Sequence, residues 1–400
     1  MSVGVCVINR NGIALAADSA GTFTGSDMFY NSINKVFPLS SKYAYGAVTY
    51  GVLAVQGVPV EQLLKEFGNY LDSKGCINDF FEIVPRFQEY IESNHKYYNF
   101  DDSEKTYCEW LINTLVTDYG GKIKSVVSLD DVENKIDEIL LELNTYITKH
   151  LKVENYDVSQ YIMNDYLTSY EHELNNIVPE LNNYPTKKEK FWELICQYFN
   201  LSIKKDDESK TGILFAGYGK NDAFPKYIHV ETYLVIGGML KMKVVESYTE
   251  YERGSKILPL AQDEIILTFC KGISDSFKNF IPEKIEDIIN NKIDNLKEDF
   301  SEEQKNTIKN SLKECKQEIT NAINIKSRNE NVDPLLRSVT LIPLSEMAFL
   351  AENLVNITSL RRTYVLDGNQ QTVGGPTDVA IISKTDGFCW IKKKDNKLFG

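Results

Sequence analysis

Three polar side chains near the start of the chain have types and spacing that could do chemistry. Ser2 carries a hydroxyl one residue from the start, Asp18 a carboxylate where an apolar run stops, and Lys35 an ammonium where another begins. A hydroxyl at position 2 becomes a nucleophile if Met1 is removed, which a small residue such as Ser normally permits. The freed α-amine, with a pKa of about 7.7–8.0, is then a general base close to working pH. A buried Lys35 near the hydroxyl would hold down its pKa and orient it. Asp18 would pair with Lys35, since an unpaired buried lysine tends to lose its proton. The plain alternative is a start-adjacent serine, an aspartate that opens a turn and a lysine on a solvated strand edge.

The elements that must position these groups are strands. Residues 3–8 (VGVCVI) and 13–17 (IALAA) are apolar runs, and Asn9-Arg10-Asn11-Gly12 between them is a turn signal whose Asn-Gly pair tolerates positive φ. Neither arm alternates, so each strand is expected to be buried on both faces. Lys35-Val36-Phe37 opens the next strand, and Tyr43–Tyr50 completes a second hairpin.

This stretch resembles the N-terminal core of proteasome β-type subunits and their bacterial relatives, members of the N-terminal-nucleophile (Ntn) hydrolases. In that family the mature chain begins with a Thr nucleophile, and a strand, a Gly turn and a second strand lead to Ala-Ala-Asp. Laid over this sequence without a gap, the signature falls on Ala16-Ala17-Asp18, the turn glycine on Gly12 and the nucleophile on Ser2; one inserted residue puts the family lysine on Lys35. The resemblance implies that a backbone N–H at Tyr50-Gly51, where the family has a Gly-Gly, stabilises the oxyanion of a tetrahedral intermediate. It also places Ser255 near a supporting serine.

A second match lies near residue 375. Gly374-Gly375 precedes the run 378–382 (DVAII), the turn Asp386-Gly387 and a last strand, as proteasome-like chains have it. Many proteolytic members carry an Asp and a Ser just before the Gly-Gly. Here those positions are Gln370 and Val373, so support for the amine is weaker, while glycine at 374 serves close backbone approach.

Composition narrows the remaining classes. The chain has 400 residues and a net charge of −13, with no basic stripe, so nucleic acid is not expected as a partner. No apolar run reaches membrane-spanning length, and Asn9-Arg10-Asn11 and Asp18 interrupt the first one, so neither a signal peptide nor an anchor is expected. The seven cysteines are scattered without a CxxC pair and the four histidines show no ligand spacing, so reduced thiols, a cytoplasmic location, no metal and no cofactor are expected.

Along the chain, apolar spacing predicts helices from Val58 to Leu71 and from Asp79 to Tyr98. Residues 101–210 read as an inserted helical subdomain: a helix after Ser128 with Val132, Ile136, Ile139, Leu143 and Ile147 on one stripe, helices at about 156–178 and 187–203, then a charged linker at 204–208. Strands are expected at 212–218, 226–236 and 240–248, and a helix from the run beginning at Leu260. Gly217-Tyr218-Gly219-Lys220 lacks phosphate-loop spacing. Residues 283–333 read as a charged helical hairpin with a capping box at Ser301–Gln304, and 344–365 as a long helix.

The expectation is therefore an α+β fold, a four-layer αββα Ntn-hydrolase sandwich with two large helical insertions. The core comprises residues 1–100, 211–282 and 334–400, and the insertions 101–210 and 283–333. The expected activity is hydrolysis of amide bonds, peptide bonds above all, through an acyl-enzyme on Ser2. Alternatives are an inactive scaffold for assembly or partner binding and an amidase acting on a small non-peptide substrate. A homo-oligomer or a partner held through the helical insertions is expected.

Overall fold

The computed structural model describes residues 2–22, 29–124, 129–150, 179–202, 210–249, 254–294, 301–364 and 374–394. The chain opens with β1 (Val3–Asn9), β2 (Gly12–Ala17), the short ribbon β3 (Gly21–Thr22) and β4 (Phe29–Tyr30), then β5 (Val36–Pro38), β6 (Tyr45–Gly51) and the ribbon β7 (Ala54–Val55) and β8 (Val58–Pro59). Helices α1 (Val60–Lys74), α2 (Ile83–Ser93), α3 (Phe100–Lys124), α4 (Leu129–His150) and α5 (Pro185–Ser202) follow. Next come β9 (Thr211–Gly217), β10 (Lys226–Ile236), β11 (Met239–Thr249) and β12 (Ser255–Ala261). The last part holds α6 (Glu264–Lys271), α7 (Asp275–Asp294), α8 (Glu302–Ser327), a π-helical turn (Arg328–Val332), α9 (Asp333–Leu341), α10 (Leu344–Tyr364), β13 (Asp378–Ser383) and β14 (Gly387–Lys392).

The result is a mixed α+β fold with two five-stranded antiparallel sheets, ordered β12-β1-β2-β13-β14 and β11-β10-β9-β6-β5. As their unalternating sequences predict, β1 and β2 are buried throughout. Their two faces join different cores. Val3, Val5, Val7, Ala14 and Ala16 pack with Met347, Ala351 and Val355 of α10. Cys6, Ile8, Ile13 and Leu15 pack with Val48 and Leu214 of the other sheet. The far face of that sheet, through Phe37, Ala47 and Phe215, meets Leu63, Phe67 and Leu71 of α1 and Phe87 of α2. Each of these Leu and Phe side chains taken fully from water contributes about 1.5–3 kcal/mol.

The first hairpin turns at the expected Asn9–Gly12 segment, with positive φ at Gly12 and not in the loop. Asn9 pairs with Gly12, so Arg10 and Asn11 make the loop, and neither has positive φ. Asn9 Oδ1 accepts the Asn11 N–H at 2.8 Å, an Asx turn, while Asn9 Nδ2 donates to the carbonyls of Val339 and Ile342. Gly12 is needed for close approach: a Cβ there would lie 2.4 Å from the Ile382 carbonyl oxygen.

Strand β12 replaces part of an expected helix. Leu260 and Ala261 finish the strand, and α6 begins only at Glu264. Pro259 obscures the strand in the sequence, yet it sits where proline is tolerated, on the edge strand beside β1. Helices α3, α4 and α5 form a core of their own around Ile136, Leu143, Phe191 and Ile195, which Leu234 and Ile236 of β10 join. The charged hairpin of α7 and α8 starts at Asp275, earlier than its apolar spacing suggests. Its capping box at Ser301 is formed, and α8 then runs to Ser327. Ser128, the helix expected at 156–178 and the linker 204–208 lie outside the described residues.

Candidate active site

Asp18 emerges from the end of β2 between strands that are already paired, so its carboxylate is fully enclosed. Its Oδ1 accepts the Val3 N–H at 3.0 Å and Lys35 Nζ at 2.6 Å, and its Oδ2 accepts the Gly374 N–H at 3.2 Å. Asp18 and Lys35 are each about 1 % exposed. Burial pushes the Lys35 pKa down, Asp18 pushes it back up through charge and hydrogen bond, and Lys394 adds a smaller downward push. Lys35 is carried on the segment before β5, anchored by its own carbonyl, which accepts the Thr49 N–H at 2.8 Å.

Ser2 is one peptide away from the Val3 N–H that Asp18 holds, and its carbonyl accepts the Gln262 N–H at 3.3 Å. Strand alternation puts Ser2 on the same side as Gly4, the side facing β6: a Cβ on Gly4 would stand 3.1 Å from Val48 Cγ1. Ser2 is 4 % exposed. Met1 lies outside the described residues.

The other expected support residues divide. Gly374 reaches the site through its N–H on Asp18. Gln370 and Val373 lie outside the described residues. Ser255 does not reach it: the serine pairs with Asn9, at the opposite end of β1 from Ser2, and donates to the Leu336 carbonyl. Gly51 takes φ +90°, and a Cβ there would meet the Lys210 carbonyl oxygen at 2.3 Å, so both conformation and space call for glycine.

Tyr50 does not project into open space. Its ring fills the room above Gly212, whose added Cβ would meet it at 2.1 Å, and its hydroxyl lies 2.8 Å from His229 Nε2 and 3.5 Å from Glu231. Glu231 in turn pairs with Lys210 at 3.0 Å and accepts the Tyr233 hydroxyl. Burial lowers the His229 pKa, opposed by Glu246 and Glu231.

A second buried ion pair escaped the sequence reading. Lys394 Nζ lies 2.6 Å from Asp378 Oδ2 and donates to the Ile33 carbonyl at 2.8 Å, two residues before Lys35. Asp378 is directly opposite Ala17 on β2. Its signal in the sequence was present: an acid bordering a buried run, Asp378 opening DVAII as Asp18 follows IALAA.

Among the described residues no cluster of metal-ligating side chains occurs. No described helix is long and apolar enough to cross a membrane. None of the seven cysteines is joined in a disulfide.

Comparison with known proteins gives little to add to this geometry. No family model matches the chain, and no curated protein matches it. Among solved structures it is similar to an Anbu (Gly-1) mutant from Hyphomicrobium sp. strain MC1, at 10 % identity and a TM-score of 0.36, over 98 % of this chain and 86 % of that one. It is also similar to Anbu (ancestral beta-subunit) from Yersinia bercovieri, at 12 % identity and a TM-score of 0.28, over 98 % of this chain and 88 % of that one. Likeness at this level carries no argument about the site. The expected membership among proteasome β-type subunits is accordingly corrected: no family model or curated relative supports it, and the structural neighbours are Anbu chains at 10–12 % identity.

Proposed function

We propose that this chain is an amide-bond hydrolase, acting on peptides first of all, with Ser2 as its nucleophile after loss of Met1. In this reading the two sheets, with α1 and α2 on one side and α10 on the other, form a four-layer αββα N-terminal-nucleophile core. Residues 101–210 and 283–333 are its helical insertions, through which copies of the chain or a partner assemble.

The observation that carries the reading is the buried Asp18–Lys35 pair, which is tied through the Val3 N–H to the residue next to Ser2. The freed α-amine takes the hydroxyl proton as Ser2 Oγ attacks the substrate carbonyl. Lys35 supplies positive charge that favours the alkoxide, and Asp18 keeps that charge in place. The Gly51 N–H serves as oxyanion donor to the tetrahedral intermediate; its collapse breaks the C–N bond as the α-ammonium gives its proton to the leaving amine. Water, deprotonated by the same α-amine, then hydrolyses the ester to restore the Ser2 hydroxyl. Ser255 has no part in it, because of its place at the far end of β1.

Burial of Ser2 favours a second reading, an inactive scaffold with Met1 retained. One experiment separates the two. Intact-mass measurement of the purified chain reports Met1, and hydrolysis of a panel of fluorogenic amide substrates is compared with Ser2→Ala. Loss of one methionine, together with turnover abolished by Ser2→Ala, is expected; a mass with Met1 kept removes the base and leaves the scaffold.

A further inference from the structure

A cavity of about 880 Å³ opens where α6, α7, the π-helical turn and α9 meet. Four cations line it, each from a different element: Lys271 ends α6, Lys278 stands early in α7, Arg328 opens the π-helical turn and Arg337 belongs to α9. Asp333 is the single carboxylate among its lining residues, and Asp275 stands beside it. Lys271 and Lys278 share Asp275 at 2.8 and 4.0 Å, and Arg328 Nε is 3.4 Å from Asp333. Arg337 donates its Nε–H to the Asp333 carbonyl at 3.2 Å, one of the five donors of its guanidinium. Four cations against two carboxylates leave a local surplus of positive charge in a chain whose net charge is −13. These ion pairs are part-exposed, so an incoming anion displaces them at small cost.

Two more observations point to a ligand. The volume lies within the roughly 300–1,000 Å³ of small-molecule sites, and Ile273, Val332 and Leu336 give the wall an apolar part beside its charges. One wall is a π-helical turn, a rare backbone form that is frequent at functional sites. It is seated by Asn331, whose Nδ2 leaves only 2.6 Å to a Cβ built on Gly272.

The cavity is not the Ser2 site. Thr340, on its lining, donates to Ser255, which pairs with Asn9 at the other end of β1. At about 3.4 Å per residue, the length of β1 puts roughly 20 Å between the two.

We propose that this cavity binds a small multivalent oxyanion with an organic body, a phosphate ester being the class that two guanidinium forks suit best. The test is calorimetric titration of the full chain with pyrophosphate, and with citrate as the carboxylate counterpart, at fixed ionic strength. Pyrophosphate is expected to bind more tightly than citrate. Arg328→Gln/Arg337→Gln is expected to weaken it by about tenfold or more. Lys278→Gln, on a side chain with a weak ion pair, is expected to weaken it with the far-UV circular dichroism unchanged. No pyrophosphate binding at millimolar concentration, or wild-type affinity in both variants, overturns the proposal. Equal binding of citrate overturns the preference for phosphate.

Discussion

At the scale of single residues, Lys35 shows how far a charge can be taken from water when one partner is placed well. The ammonium has a carboxylate at 2.6 Å that also accepts two backbone N–H groups, so neither oxygen of Asp18 is idle. Removing one member is expected to be worse than removing both. Asp18→Asn leaves a buried ammonium facing an amide and should destabilise by about 3–5 kcal/mol. Asp18→Asn/Lys35→Met should cost clearly less than the sum of the single changes in a urea-denaturation cycle; additivity would show that the pair is not coupled. His229 gives the pH dependence. Burial lowers its pKa below the ordinary 6.5, so between the folded value and 6.5 the unfolded chain holds more protons and stability rises with pH. Below the folded value the whole cost of a charged, buried imidazole is present. His229→Gln is expected to flatten the fall of stability below pH 6.5, read from midpoints of unfolding across pH. Asp18 and Lys35 were legible because each borders an apolar run, Asp18 after one and Lys35 before the next. Asp378 offered the same cue, but Lys394 lies in a lysine-rich segment that reads as solvated, and only its pairing across space singles it out.

At the scale of elements, the sheets were more legible than their edges. Unalternating apolar runs reported strands buried on both faces, whereas β12 was hidden by Pro259, whose compatibility with a strand depends on which neighbour it lacks. Helix α3 had no apolar stripe to announce it; it is ordered by packing on α4, α5 and β10 rather than by its own pattern. The second sheet is shaped around Tyr50, for which Gly212 leaves space. Gly212→Ala is expected to destabilise by about 1–3 kcal/mol through overpacking. Shrinking the ring in the same chain, Gly212→Ala/Tyr50→Ser, should give less than the summed cost of the single changes in thermal or urea unfolding. A cost that persists undiminished would place the strain in the backbone of β9 instead.

At the scale of the molecule, stability is expected to be uneven. The strands of the two sheets share cores on both faces, while α7 and α8 pack mainly against each other and leave Phe277, Phe280 and Ile288 exposed. Native-state hydrogen exchange should find the slowest amides in β1, β2, β6, β9 and β13 and fast ones in α7 and α8. Equal protection across the chain would mean that the hairpin is bound into the same cooperative unit. Helices α4, α5, α7 and α8 were legible as helices from their apolar spacing. Where they dock was not, because an amphipathic stripe states that a face is covered and never by what.

The carboxylate of Asp18 collects groups from residues 3, 35 and 374, and β13, which completes the sheet beside β2, begins only at residue 378. A ribosome making this chain therefore releases the first hairpin long before its closing partner exists. Until residues 374 and 378 have been added, Asp18 lacks its Gly374 donor and β2 lacks the strand on that edge. Val3 and Lys35 can reach Asp18 early, but its second oxygen is satisfied only once Gly374, 356 residues further on, has been joined, so the centre is completed late.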